Sequence, residues 1–236
     1  MSNPVVSIVT STFNRAQIVR GAIDSVRTQS FSDWEMCVVG DCTPDDTAGT
    51  VASYNDPRLK YYNLPVKSPP GSHGSLAKNY ALQKMARGEF IAYLDDDDHY
   101  LPNHLEVMIG YMKVHPDCQF AYCRCAYRDK KTLKRIWGNP FQRWMHGYSR
   151  EKLKRYNFID TDCVVHRRAI LEEVGYWDPK FYFDDYELWL RISSKYDLHH
   201  VNRVLVDKFV EEPPFLVRAL RKGAKILTSG RTTPLE

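Results

Sequence analysis

GEFIAYLDDDDHYLP, Gly88 to Pro102, is the stretch from which the fold can be read. Phe90 to Leu94 is a continuous apolar run, the composition of a strand buried on both faces of a parallel sheet. Four aspartates, Asp95 to Asp98, follow it at once. Ligands in open parallel sheets gather outside the carboxyl ends of the strands, so the acidic run stands where a site is expected. Carboxylates packed this closely repel one another unless a cation or strong donors compensate. A divalent ion is the simplest compensation, and hard oxygen ligands suit Mg²⁺ or Mn²⁺ bridging two phosphates. The alternative is a solvated acidic turn that caps the next helix.

Upstream of this run, short apolar stretches alternate with helical patterns, the signature of βαβ units. Val5 to Thr10 reads as a first strand and Ile18 to Arg27 as a helix with apolar residues at Ile18, Val19, Ala22, Ile23 and Val26. Met36 to Gly40 and Leu59 to Leu64 read as further strands, with a helix start near Asp45 to Thr47. The loop from Lys67 to Ser75 is rich in Pro, Gly and Ser and carries His73, weighed as a solvated side chain against a donor contact. A helix from Leu76 to Arg87 is expected to end at Gly88 as its C-cap. Downstream, Asn103 to His115 is a helix, Phe120 to Tyr127 and Cys163 to Arg167 are strands, and Ala169 to Val174 is a helix stopped at Gly175. The expected fold is α/β, a single domain with a mixed, mainly parallel sheet flanked by helices.

A second acidic feature is FYFDDYELWLRI, Phe181 to Ile192. Leu188, Trp189 and Ile192 give the buried face of a helix from Asp185 to Tyr196, and Asp184 and Asp185 stand at its start. There they could simply complement the helix dipole. A carboxylate among aromatics such as Tyr182 and Tyr186 could also act as a general base toward a hydroxyl.

Bulk properties narrow the classes. At 236 residues one well-cored domain is the expectation, and a net charge of +4 with interspersed acidic clusters gives no footprint for nucleic acid. No apolar stretch approaches membrane-spanning length and MSNPVV is not a secretory signal, so a cytoplasmic location is expected. Six cysteines without a CxxC pair read as reduced packing residues.

Taken together and in order, SIVTSTFNR, QSFSDWEMCVVGD, GEFIAYLDDDD and DDYELWLR resemble the family-2 glycosyltransferases of GT-A fold, over about Val5 to Val206. The resemblance implies an inverting, metal-dependent transfer of a sugar from a nucleoside-diphosphate donor, UDP-linked by resemblance, to a glycan or glycolipid hydroxyl. It implies that Ser11, Thr12 and Arg15 lie at the donor pocket and that Asp41 touches the base. Lys78 takes the approximate place of an arginine near the diphosphate, keeping the charge but losing the bidentate fork. The family's DxD pattern maps to Asp95 and Asp97, with Asp97 as direct Mn²⁺ or Mg²⁺ ligand and Asp96 near the ribose or donor sugar. The ED pair maps to Asp184 and Asp185, with Asp185 as base. Ser11 stands where the family often has Pro, and the helix before the acidic strand is one residue longer than usual. No C-terminal metal histidine is evident, His199 and His200 being candidates only by position in the sequence.

The implied organisation is a catalytic domain over 1–210, divided near residue 100 into nucleotide-sugar and acceptor-side halves, and an amphipathic C-terminal helix and tail over 211–236. Along FLVRALRKGAKIL, Arg218, Arg221, Lys222 and Lys225 would share one helical face. That face could rest on an anionic membrane, or the apolar face could pack on the domain. Two other functions compete. A sugar nucleotidyltransferase would show a Gly-rich N-terminal loop, which SIVTSTFNR lacks; a non-catalytic nucleotide- or sugar-binding module would not need Asp97 and Asp185.

Overall fold

In the computed structural model, which describes residues 3–136 and 147–211, the first strand, β1 (Val6–Thr12), is buried on both faces. It lies parallel to β2 (Trp34–Gly40) on one side and to β4 (Phe90–Tyr93) on the other. β3 (Leu59–Asn63) adds parallel to β2. The order β3-β2-β1-β4 therefore reverses direction of growth at the β1/β4 boundary, and a crevice opens there beyond the strands' carboxyl ends. Beyond β4 the sheet becomes mixed: β7 (Val164–Arg167) is antiparallel to β4 and to β6 (Phe120–Asp129). β8 (His199–Val210) runs parallel to β6, and the two-residue β5 (His99–Tyr100) closes the eight-stranded sheet.

Both faces of the sheet are covered, as a largely parallel sheet requires. Val6 and Ile8 of β1 pack with α1 (Val19–Arg27) and α4 (His104–Val114). Val9, on the opposite face, packs with α3 (Ser75–Tyr80) and α7 (Asp184–Lys195). Trp189 of α7 is fully buried, edge-on to Phe120 at 5.0 Å and to Trp177 at 5.6 Å, and anchors that layer. Shorter helices α2 (Thr47–Ala52), α5 (Arg150–Leu153) and α6 (Ile170–Val174) complete the described residues. Among these residues no helix is long and apolar enough to cross a membrane. All six cysteines are free, and all but Cys42 are buried, in keeping with packing roles.

Beyond the short β5 and α5, which the sequence reading lacks, the structure departs from it in two further places. The helix expected over Leu76–Arg87 is α-helical only to Tyr80, continues as a π-helical turn over Ala81–Met85, and breaks at Ala86, where ψ is 127°. A π-turn absorbs one extra residue in a helix, which accounts for the surplus length seen in the sequence. Gly88 is not a C-cap: a Cβ there would lie 2.6 Å from Ser7 N and 2.8 Å from Val6 C, so glycine is required by the closeness of β1. The backbone N–H groups freed at this break are caught by buried side chains. Gly88 N donates to Ser7 Oγ at 2.8 Å and Arg87 N to Glu35 Oε1 at 2.6 Å. The second departure is β8, which the sequence pattern does not reveal. Consecutive exposed Asn202 and Arg203 break its alternation, and the β6–β8 register shifts between Tyr122 and Cys125 to accommodate them. The C-terminal helix expected over 215–227 lies outside the described residues.

Candidate active site

β1 ends in Ser11 and Thr12, and the chain beyond β4 turns at the acidic run, so the switch-point crevice is walled by both from the start. The crevice is a cavity of about 690 Å³, within the range of small-ligand sites. Ser11, Thr12, Arg15, Asp41, Lys78, Asp95, Asp96, Asp97 and Asp185 all line it, joined by His73, Asp184 and Thr161. Residues scattered over the whole sequence thus share one cavity.

The β1 side holds Asp96. Thr12 Oγ1 donates to its Oδ2 at 2.6 Å and Arg15 Nη1 to its Oδ1 at 2.7 Å. Burial pushes the Asp96 carboxyl above its ordinary range, against the pull of Thr12 and Arg15. Asp97 is paired with Lys130 at 2.9 Å and more loosely with Arg15 at 3.4 Å. Asp41, just past β2, accepts from Ser68 N at 2.9 Å and Ser68 Oγ at 2.6 Å, so it ties the Lys67–Ser75 loop to the sheet. Gly74 in that loop has φ 79° and so close an approach to Ser11 that a Cβ would lie 2.5 Å from its Oγ.

On the opposite wall the two neighbouring aspartates of α7 are held differently. Asp184 is buried, accepts from Ser75 Oγ at 3.0 Å, and lies 3.7 Å from the Lys78 ammonium. That ammonium also sits 4.2 Å over the Trp177 ring and 3.3 Å from the His73 carbonyl. Asp185 turns to the other side, where Asn157 Nδ2 donates to its Oδ2 at 2.9 Å and the Tyr186 N–H to its Oδ1 at 2.6 Å. Burial raises the Asp185 carboxyl, the Tyr186 N–H draws it back, and the charge of Asp184 raises it again; the net direction is up. A raised carboxylate in a cavity is suited to accept a proton.

Behind the acidic run lies a group absent from the sequence reading. Lys208 of β8 places its ammonium 2.9 Å from both Asp160 and Asp162, 3.0 Å from Asp98 and 3.5 Å from Asp95. Burial disfavours the charge on Lys208, but the four carboxylates outweigh it and raise its pKa well above the ordinary value. Asp95, Asp98 and Asp162 each offer an oxygen within 4.8 Å of the others, a grouping that could hold a metal ion, yet it already surrounds this ammonium. Burial pushes Asp95 up while Lys208, Lys78 and Arg15 pull it further down, for a net lowering. Asn157, Asp160, Asp162 and Lys208 carried no sequence signal, since each is significant only through a partner distant in the chain. His199 and His200 do not line the cavity. They stand at the start of β8, at the opposite end of the strand from Lys208, where His199 Nδ1 lies 3.2 Å from the Tyr111 hydroxyl and His200 stacks on Tyr122.

A switch-point cavity of this kind, on a sheet that is parallel in its first half and mixed in its second, defines an α/β protein of GT-A type. The family model described as Glycosyl transferase family 2 matches residues 7–175, and the chain belongs to that family. It is 33% identical over 210 residues to an uncharacterized glycosyltransferase of Rickettsia typhi, covering 84% of this chain and 63% of that protein. It is 29% identical over 202 residues to the UDP-Glc:alpha-D-GlcNAc-diphosphoundecaprenol beta-1,3-glucosyltransferase WfgD of Escherichia coli, covering 86% of this chain and 75% of that one. A mannosyltransferase from Pyrobaculum calidifontis, solved with GDP-Man and Mn²⁺, shares the fold at a TM-score of 0.69 and 17% identity, over 99% of this chain and 67% of that one.

Proposed function

We propose that this chain transfers a sugar from a nucleoside-diphosphate donor, UDP-linked, to an acceptor hydroxyl with inversion, in the assembly of a polysaccharide or glycoconjugate. The observation that carries the reading is the division of the α7 aspartates within one cavity. Asp184 is committed to Ser75 and Lys78, whereas Asp185 has a raised carboxyl and faces away from Lys78 toward Asn157. The acid run and β1 supply the donor wall; Asp185 supplies a base on the other.

The cavity also fits a divalent cation. Six carboxylates, Asp41, Asp95, Asp96, Asp97, Asp184 and Asp185, line it against Arg15 and Lys78, and with Lys67, Lys130 and Lys208 pairing to Asp41, Asp97 and Asp95 from outside the lining the carboxylates still outnumber the cations. An anionic diphosphate would meet net repulsion there unless a cation entered with it. The donor set is all oxygen, as Mg²⁺ and Mn²⁺ prefer. Asp97 would hold the ion, releasing Lys130, with the half-exposed Asp95 beside it. When bound, the ion would offset the charge that gathers on the departing diphosphate.

In this reading Ser11, Thr12 and Arg15 receive the donor, Asp41 approaches the base, and Asp96 orients the ribose or donor sugar through its fixed geometry with Thr12 and Arg15. Asp185 takes the acceptor hydroxyl's proton. That oxygen attacks the anomeric carbon from the face opposite the diphosphate, so configuration inverts, and Lys78 lies close enough to attract the leaving charge. The catalytic unit would span residues 1–210, with Asp160, Thr161 and Lys208 bringing the second half to the donor wall. The polyprenyl-diphosphate acceptor in the name of the Escherichia coli relative supports a lipid-linked glycan as acceptor class. Incubation with a panel of nucleotide-sugars and lipid-linked or soluble acceptors tests the reading. Metal-dependent release of the nucleoside diphosphate with a β product from an α donor is expected, and retention of configuration would overturn it.

A further inference from the structure

We propose that Lys208 is a built-in cation that occupies the inner half of the acidic cluster, fixing the turn at Asp95–Asp98 and excluding a divalent ion from that half. The inference concerns the scaffold of the site and stands whether or not the donor reading above is right.

Asp98 and Asp162 have side chains that are 3% and 0% exposed, so neither carboxylate is solvated. Taking two such groups out of water costs several kcal/mol each unless something of opposite charge is placed among them. Among the described residues, Lys208 is the only ion-pair partner of Asp98, Asp160 and Asp162. An ammonium carries three N–H donors. Three carboxylates stand at donor distance, Asp160 and Asp162 at 2.9 Å and Asp98 at 3.0 Å. The fourth, Asp95, is at 3.5 Å, and its side chain is 42% exposed. Lys208 thus donates to Asp160 and Asp162, pairs with Asp98 by charge, and leaves Asp95 at the cavity.

The turn is fixed through the same group. Asp162, held by Lys208 through Oδ2, accepts the Asp95 N–H through Oδ1 at 2.7 Å. Asp98, held by Lys208 through Oδ2, accepts the Phe209 N–H through Oδ1 at 2.7 Å. One ammonium therefore clamps both ends of the acidic run to β8 and to the 3₁₀ turn Thr161–Cys163. Metal ligation by Asp95, Asp98 and Asp162 together would need the space that this nitrogen fills. A metal entering the cavity is left with the outer carboxylates.

Removing the ammonium while keeping a four-atom apolar stem should therefore open an ion site that the parent lacks. The probe is Mn²⁺ alone, counted by the loss of its free EPR signal, without nucleotide. Lys208→Met is expected to bind one more Mn²⁺ per chain than the parent and to gain more in Tm from Mn²⁺ than the parent does. Lys208→Arg, which keeps the charge, should bind no extra ion, and Lys208→Met combined with Asp162→Asn should lose the extra ion by removing a ligand. If Lys208→Met does not fold alone, refolding in Mn²⁺ is expected to recover it, because the ion replaces the missing charge. Failure of Mn²⁺ to recover it, an unchanged ion count in a folded Lys208→Met, or the same extra ion in Lys208→Arg would each overturn the proposal.

Discussion

Asp184 and Asp185 are adjacent in sequence, yet their surroundings give them separate tasks, and substitution can separate these. Asp185→Asn preserves size but removes the base, so transfer should fall by about 10²–10⁴-fold in kcat while nucleotide affinity measured by calorimetry stays close to that of the parent. Loss of nucleotide binding instead would move Asp185 to the donor side. Asn157 offers a finer test. Its amide donates to the Asp185 carboxylate and favours the charged form, so its removal raises the Asp185 pKa further. A base acts deprotonated, so the acid limb of kcat/KM should shift to higher pH in Asn157→Ala, whereas an unmoved limb would detach Asn157 from the titrating group. The aspartates themselves were legible in the sequence because they cluster at the ends of patterned elements. Asn157 was not, since a lone asparagine acquires meaning only when the fold brings it across to α7. The same holds for Lys208, whose carboxylate partners come from two other segments of the chain.

Among the elements, those with strong periodicity were readable and those shaped by a neighbour were not. β1, β2, β4, α1 and α7 emerge near their expected positions because apolar runs and helical stripes are local properties. The end of the helix before β4 is a tertiary matter: Ser7 and Glu35 capture the backbone N–H groups of Arg87 and Gly88, and β1 passes too near for any Cβ at Gly88. Local chemistry suggested a C-cap there, but Gly88 owes its place to packing against backbone, which cannot yield as a flexible side chain can. Gly88→Ala should therefore destabilise the protein by roughly 1–3 kcal/mol in urea unfolding, the scale of overpacking in a rigid core. A C-cap role in left-handed geometry is excluded as the cause, because Gly88 is absent from the positive-φ residues. A midpoint within error of the parent would show that β1 and β4 can separate at no cost. β8 was hidden for a related reason, its alternation being interrupted where the register with β6 shifts.

For the molecule as a whole, the first-half topology β3-β2-β1-β4 and its crevice followed from alternating strand and helix patterns, and the mixed second half followed only in outline. The charge of the assembled cavity could not be read from the net +4 of the chain, because it depends on which carboxylates face inward. That inward charge makes a prediction about ligand linkage. With carboxylates outnumbering cations in the lining, UDP alone should bind weakly and Mn²⁺ should bind better once a diphosphate supplies further oxygens, so the two should stabilise the fold cooperatively. With Mn²⁺ present, UDP at about 100 times its Kd under those conditions adds about 2.7 kcal/mol. For a domain of this size that corresponds to a rise in Tm of about 5–10 °C. The measurement is a thermal melt with UDP, with Mn²⁺, and with both, repeated after EDTA and in Asp97→Asn. The pair should exceed the sum of the single additions, EDTA should return the sample with both to the Tm of UDP alone, and Asp97→Asn should lose the cooperative part while melting near the parent when free of ligand. Equal stabilisation by the pair with and without EDTA would mean that the cavity admits the diphosphate without a metal, and that Arg15 and Lys78 suffice to balance its charge.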